Sequence, residues 1–304
     1  MKKNFTFVLA ALIIAALLLS SCVSQEADSV AEEEVSVEEE VVEEEAEVAV
    51  DEQPAGCLGT AEDALVDLEC QEIVIAVENA YLPFNYISAE TGEAGGWDYE
   101  VWPAICELLH CTPVFVETAW EVMIQSVADG LVDTAGDGVT ITDLRLEQVD
   151  FSIGYVNVDQ RLLVQIGEDR FASIEEFVAN PDLIMGTQSQ TTNYETAVQY
   201  LPEDRIQAFE QFPFAVQSLI VGDVDAVLID ETAGLGYLGT NSDSLELIGP
   251  SISSDELGFP FTKGSALVEP VNLAIQELKD NGKLAEINLK YFGPEFTITY
   301  DDIQ

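Results

Sequence analysis

The chain has 304 residues, of which 58 are acidic and 10 basic, giving a formal net charge of −48. That surplus excludes tracking of a nucleic-acid backbone, which needs clustered Lys and Arg, and it disfavours docking to anionic lipid. One histidine, His110, serves the whole sequence, so imidazole acid–base chemistry is absent from almost all of it.

The first predicted element is an export signal. Met1-Lys2-Lys3 precedes an apolar run from Phe5 to Leu19, and Leu19-Ser20-Ser21-Cys22 follows. A positive start, a short apolar stretch and small residues before the cut describe a cleaved leader. The run is too short and wrongly flanked to span a membrane. The tetrad resembles a bacterial lipobox, which implies signal residues 1–21, cleavage before Cys22 and a diacylglycerol on its thiol. The expected location is extracytoplasmic and lipid-anchored. From Glu26 to Glu52 there are fourteen acids and no base among Val, Ala and Ser. Residues 22–56 are therefore expected to be a disordered, self-repelling spacer.

Four further cysteines, Cys57, Cys70, Cys106 and Cys111, remain in a chain expected where disulfides persist. Local pairs, Cys57–Cys70 and Cys106–Cys111, are the simplest arrangement, although three connectivities are open. Cys106, His110 and Cys111 have metal-ligand chemistry without a recognised metal spacing, and no metal site is assigned.

Residues 73–77 predict a buried strand, followed by a Pro-containing loop, Tyr81-Leu82-Pro83-Phe84. Helical spacing over 99–109 leads to a strand at 113–116, then a helix over 122–129 and a short strand at 132–135. Such βα units indicate a mostly parallel sheet. A fresh strand is expected near 161–166, a helix over 173–179, a strand at 183–186 and a helix opening at Thr191-Thr192. Residues 214–221, 226–229 and 232–238 repeat the alternation. A strand at 258–263 and two helical stretches within 270–291 end the series. No fixed-period repeat occurs, and two α/β lobes fit this count better than one wide sheet.

Arg145 is the first basic residue after Lys3 and sits among small and hydroxyl residues, Gly138-Val139-Thr140-Ile141-Thr142-Asp143-Leu144-Arg145. One more cation adds nothing to the solubility of so acidic a chain. A planar guanidinium whose parallel N–H donors match two carboxylate oxygens is better suited to holding a ligand carboxylate.

Several blocks occur together and in order. They are Val77-Glu78-Asn79-Ala80-Tyr81-Leu82-Pro83-Phe84, Gly96-Trp97-Asp98, Trp120-Glu121, Gly130, Asp133, the run from Gly138 to Arg145, and Val149-Asp150-Phe151. Gln188-Ser189-Gln190-Thr191-Thr192, the stretch from Val224 to Asp230, and Gly282-Lys283-Leu284 through Tyr291-Phe292-Gly293 complete them. This pattern, covering residues 72–293, resembles the polar amino-acid-binding proteins of ABC importers (extracellular solute-binding protein family 3, type II periplasmic binding fold). The resemblance implies two lobes, 57–158 plus 256–304 and 159–255, joined by two crossover strands and closing on a ligand. It also implies a monomer, a membrane permease as partner, no cofactor and no catalytic residue.

By this resemblance Arg145 takes the ligand carboxylate, supported by Thr140 and by Thr191 and Thr192, where a helix N-terminus favours anions. Plain N-capping would make the same demand of Thr191-Thr192. Asp230, with the Gly138 carbonyl and Thr140 hydroxyl, takes the α-ammonium, or else Asp230 caps the helix begun at Thr232. Tyr81 and Trp97 match the rings that sandwich the ligand side chain, and Trp120 is either another wall or core. Asp137 stands where the family commonly has Ser or Ala, and Glu78 stands where an acid is frequent. Two such acids favour a cationic side chain; Asp137 facing solvent, or Gln188 and Asn193 choosing a neutral polar ligand, are the alternatives. A dehydratase-like lyase using Glu78 and Asp137 as acid and base, and a sensing module for a signalling partner, are the alternative functions.

Overall fold

The computed structural model describes residues 56–241, 243–293 and 295–304. The expected signal, Cys22 and most of the acidic spacer lie outside the described residues. The apolar run at 73–77 becomes the core of β1 (Gln71–Val77). Three short strands follow, β2 (Ala80–Tyr81), β3 (Asn85–Ile87) and β4 (Ala94–Gly95), paired in order as a small antiparallel sheet. Next come α1 (Trp97–Leu109), β5 (Cys111–Glu117), α2 (Trp120–Ala128), β6 (Thr134–Ala135), α3 (Asp143–Leu146) and β7 (Val149–Phe151). α1 stops at His110, whose φ of 51° is left-handed, and the Cys106–Cys111 disulfide staples the helix to β5 across that turn. The second disulfide, Cys57–Cys70, fastens the segment ahead of β1. Both pairings are the local ones.

β8 (Val156–Gln165) begins a second series: α4 (Ile174–Ala179), β9 (Met185–Gln188), α5 (Thr192–Tyr200), β10 (Ile206–Phe209), α6 (Phe212–Val221), β11 (Ala226–Asp230), α7 (Glu231–Asn241) and β12 (Leu245–Ile248). The chain then returns through β13 (Ser254–Leu257) to β14 (Pro260–Thr262), α8 (Val268–Asp280) and α9 (Lys283–Phe292), and both helices pack against α1.

Two sheets result, β5-β1-β6-β14-β7 and β10-β9-β11-β8-β12, with β13 paired to β8. Each is parallel in its first three strands and antiparallel beyond, where β14 meets β6 and β7 and where β8 meets β11 and β12. The antiparallel strands are those beside the passages between lobes. Residues 156–159 of β8 run against β13, with Asp159 opposite Ser254 and Val156 opposite Leu257. β10, β12 and β13 escape the sequence, and their pairing partners decide them.

The last residues strap back over the molecule. Ser88 bridges Ile303, the Gln304 N–H donates to the Ile87 carbonyl at 2.9 Å, and the Leu82 N–H donates to the Tyr300 hydroxyl at 3.1 Å. Tyr300 stacks on Tyr237 of α7 with centroids 3.6 Å apart and planes within 3°. Replacing Tyr300→Leu removes that stack and is expected to cost about 0.5–1.5 kcal/mol, read as a lower urea midpoint at unchanged slope. An unmoved midpoint would mean the strap adds nothing to stability.

Candidate functional site

The chemistry-bearing side chains gather at the carboxyl ends of parallel strands, the usual place for a ligand in α/β sheets. Glu78 follows β1, Asp137 follows β6, Gln188 ends β9 and Asp230 ends β11. They line one common cavity. Tyr81, Gly138, Thr140 and Arg145 join them from the first lobe, and Thr191 and Thr192 from the second. Gly138 has a φ of +59°, and a Cβ there would come within 2.8 Å of the Tyr81 ring, so the backbone and ring can approach only without a side chain.

Trp97 is the exception. Placed in the first turn of α1, it is fully buried in the core. It stacks at 4.7 Å on Tyr155, and its Nε1 donates to Asn288 Oδ1 at 2.7 Å. Its ring belongs to packing, which corrects the expectation that it walls the ligand. Trp120 lines the cavity instead, its ring centroid 5.2 Å from the Arg145 guanidinium carbon. Asn193 lines it too, and so does Phe212, stacked with Tyr81 at 6.1 Å. Nothing in the sequence marked Phe212, since an aromatic at the start of an apolar helix reads as core.

Arg145 is 7% exposed. It sits on α3, whose N-cap, Thr142, accepts the Arg145 N–H. Its Nη1 donates to the Thr140 carbonyl at 2.9 Å, and among the described residues no carboxylate lies within ion-pairing distance. Burial lowers its pKa, opposed by the more distant charges of Glu195, Asp255 and Asp230. The Thr140 and Thr192 hydroxyls stand 3.4 Å apart. Thr191 is a true N-cap, accepting from the Tyr194 N–H at 3.1 Å, so it serves α5 while lining the cavity.

Three carboxyls face the same space, each tied by neutral donors. Asp230 accepts from Tyr81 Oη and, at 3.1 Å, from Asn193 Nδ2. Glu78 accepts from Gln188 Nε2 at 3.3 Å. Asp137 accepts from Asn85 Nδ2 at 2.6 Å. Burial pushes Asp230 up to about 6 against those hydrogen bonds, and Glu78 up to about 7. Burial and the neighbouring Glu78 carboxylate hold Asp137 well above its ordinary range. His110 is remote from this chemistry: its Nδ1 lies 2.7 Å from Asp67 Oδ1 and its Nε2 lies 3.1 Å from Cys70 Sγ, a sulfur already in a disulfide.

Unfolded, Glu78 and Asp230 revert to ordinary values of 4.5 and 3.8. Between those values and their folded ones the native protein holds more protons than the unfolded chain, so this contribution to stability falls as pH rises through the window. Glu78→Gln is expected to flatten the decline between pH 4.5 and 7 by a few kcal/mol, on the order of its shift. Urea midpoints across that range test it; an unaltered slope would assign Glu78 an ordinary pKa.

The model of the bacterial extracellular solute-binding proteins, family 3, matches residues 73–294. The L-cystine-binding protein TcyJ of Escherichia coli strain K12 is 27% identical over 227 residues, covering 74% of this chain and 84% of its own. The L-arginine-binding protein of Pseudomonas aeruginosa is 28% identical over 232 residues, covering 72% and 86%. An ancestral arginine-binding protein, solved with arginine bound, has a TM-score of 0.68 at 29% identity, covering 73% of this chain and 98% of its own. Matched over most of its length and built on the same two lobes, the chain belongs to the bacterial extracellular solute-binding proteins, family 3.

Proposed function

We propose that this protein is the ligand-capturing component of an amino-acid ABC importer, held outside the cytoplasmic membrane by lipid on Cys22, and that it binds an L-amino acid with a cationic side chain. One observation carries the reading: among the described residues, a buried guanidinium without an ion-paired carboxylate shares a cavity with three buried carboxyls that have no ion-paired cation. An amino acid supplies both missing partners. Its carboxylate meets Arg145, Thr140 and Thr192, and its ammonium meets Asp230. The side chain runs between Tyr81, Trp120 and Phe212 toward Glu78 and Asp137, where a second positive charge relieves two desolvated acids. Relatives named for arginine and for cystine support an amino-acid ligand.

The antiparallel pair at 156–159 and 254–257 serves as the hinge, and the expected lobe boundaries at 158/159 and 255/256 fall inside it. Closure brings Thr192, Gln188 and Asp230 over Arg145, Glu78 and Tyr81, which completes the site. The closed complex is delivered to a membrane permease, and no bond of the ligand is made or broken.

A thermal-shift screen of the common amino acids tests the reading, with arginine and lysine expected to raise the melting temperature most. Arg145→Ala is expected to weaken that binding by about 2–5 kcal/mol, roughly 30- to several-thousand-fold, with the fold intact. Calorimetric affinity unchanged in the variant would remove Arg145 from the site. Turnover of prephenate or arogenate would put a lyase in place of a receptor.

A further inference from the structure

Asp137 lines the cavity but does not hold itself there. It is 2% exposed, and its Oδ1 receives Asn85 Nδ2 at 2.6 Å and, more weakly, the Glu78 N–H at 3.5 Å. Asn85, fully buried on β3, is fixed from three sides. The Asn79 N–H donates to its Oδ1 at 2.6 Å, which dictates which end of the amide is carbonyl. Its NH2 end therefore faces two acids, reaching Asp98 Oδ2 at 3.0 Å as well as Asp137, with the Gly136 carbonyl at 3.2 Å. Asp98 is itself fully buried at the start of α1. It fits there because residue 136 is glycine: a Cβ at that position would lie 2.9 Å from Asp98 Oδ1.

One amide thus stands between an acid in the core and an acid in the cavity. Asp98 takes one N–H and orients the group, and the other N–H is aimed at Asp137. Burial and the Glu78 carboxylate hold Asp137 above its ordinary range, and the Asn85 N–H opposes them. Without that donor, ionising Asp137 beside an incoming cation costs more.

We infer that Asn85, oriented by Asp98, is a positioning residue that aims Asp137 and makes it easier to ionise when a cation enters, and so sets the preference of this site for cationic over neutral side chains. This rests on the amino-acid reading above and adds to it a residue that need not touch the ligand.

The test is calorimetric titration of the full chain with arginine and with glutamine, for wild type, Asn85→Leu and Asn85→Ser. Losing a hydrogen bond to a charged group is expected to lower arginine affinity about 10- to 100-fold, while glutamine affinity moves less than about threefold. Asn85→Ser, smaller and still polar, also removes both amide donors and covers the case in which Asn85→Leu does not fold. A role in packing alone would weaken both ligands equally, and that result overturns the inference, as does an arginine-to-glutamine ratio equal to wild type in a folded variant. Wild type that does not prefer arginine overturns the cationic reading of the site and this inference with it. Wild type that prefers arginine, with that ratio unchanged in a folded variant, overturns the inference alone.

Discussion

A guanidinium removed from water without a counter-ion is among the least favourable things a fold can contain, and Arg145 is held in that condition. Its immediate compensation is one carbonyl, that of Thr140, and the face of Trp120. A cation over an indole ring and a single hydrogen bond offset only part of the lost hydration. Every other feature of the cavity is consistent with keeping this charge available. The nearest acids act on it through space, and none closes on it. Had Asp230 or Asp255 paired with Arg145, the protein would gain an ion pair and lose the place where, on the proposed reading, a ligand carboxylate fits.

The acids show the same restraint. Asp230, Glu78 and Asp137 are each tethered by a neutral side chain: Tyr81 and Asn193, Gln188, and Asn85. Neutral donors aim a carboxylate without cancelling its charge, so the electrostatic work is left for an incoming cation. Several of these tethers also cross between lobes. Gln188 reaches Glu78, Tyr81 reaches Asp230, and the Thr140 and Thr192 hydroxyls approach each other. Groups that would hold the ligand therefore also hold the lobes together. A ligand favours closure only by the difference in its contacts with the two arrangements, and here the same atoms enter both sums.

Much of this was legible before any coordinates. Arg145 stood out because basic residues are scarce, and Asp230 because it ends an apolar strand; both lie in the cavity. Glu78 and Asp137 were visible only through the family resemblance, as acids at positions it places beside the ligand side chain. Trp97 misled because a sequence block records which residue type occupies a position and not which face of a helix it occupies. As the first residue of α1 it turns inward, and Trp120, at the equivalent place in α2, took the wall. Phe212 and the Asn85 tether were invisible for a related reason. Phe212 meets Tyr81 from the opposite lobe, and Asn85 lies 52 positions from Asp137, so no local pattern encodes either contact. Strands β10 and β12 were missed because pairing, not their own composition, makes them strands.

The acidity of the whole chain and the acidity of the site are separate matters. The net charge of −48 belongs to the chain as a whole, and charges in contact with solvent are screened by ions within about 8–10 Å. It raises the local concentration of any cation, but it cannot distinguish one from another. Discrimination needs charges that water does not reach. Glu78 and Asp137 meet that condition, since burial makes their ionised forms costly until a cation arrives. A neutral side chain entering the same space leaves them protonated and gains only its contacts with the rings. A cationic one allows both to ionise and recovers Coulombic energy in a low-dielectric pocket. On the proposed reading, the preference for a cation grows with the very desolvation that makes the empty site unfavourable, and the cost of keeping such acids inside an unliganded protein becomes the source of selectivity.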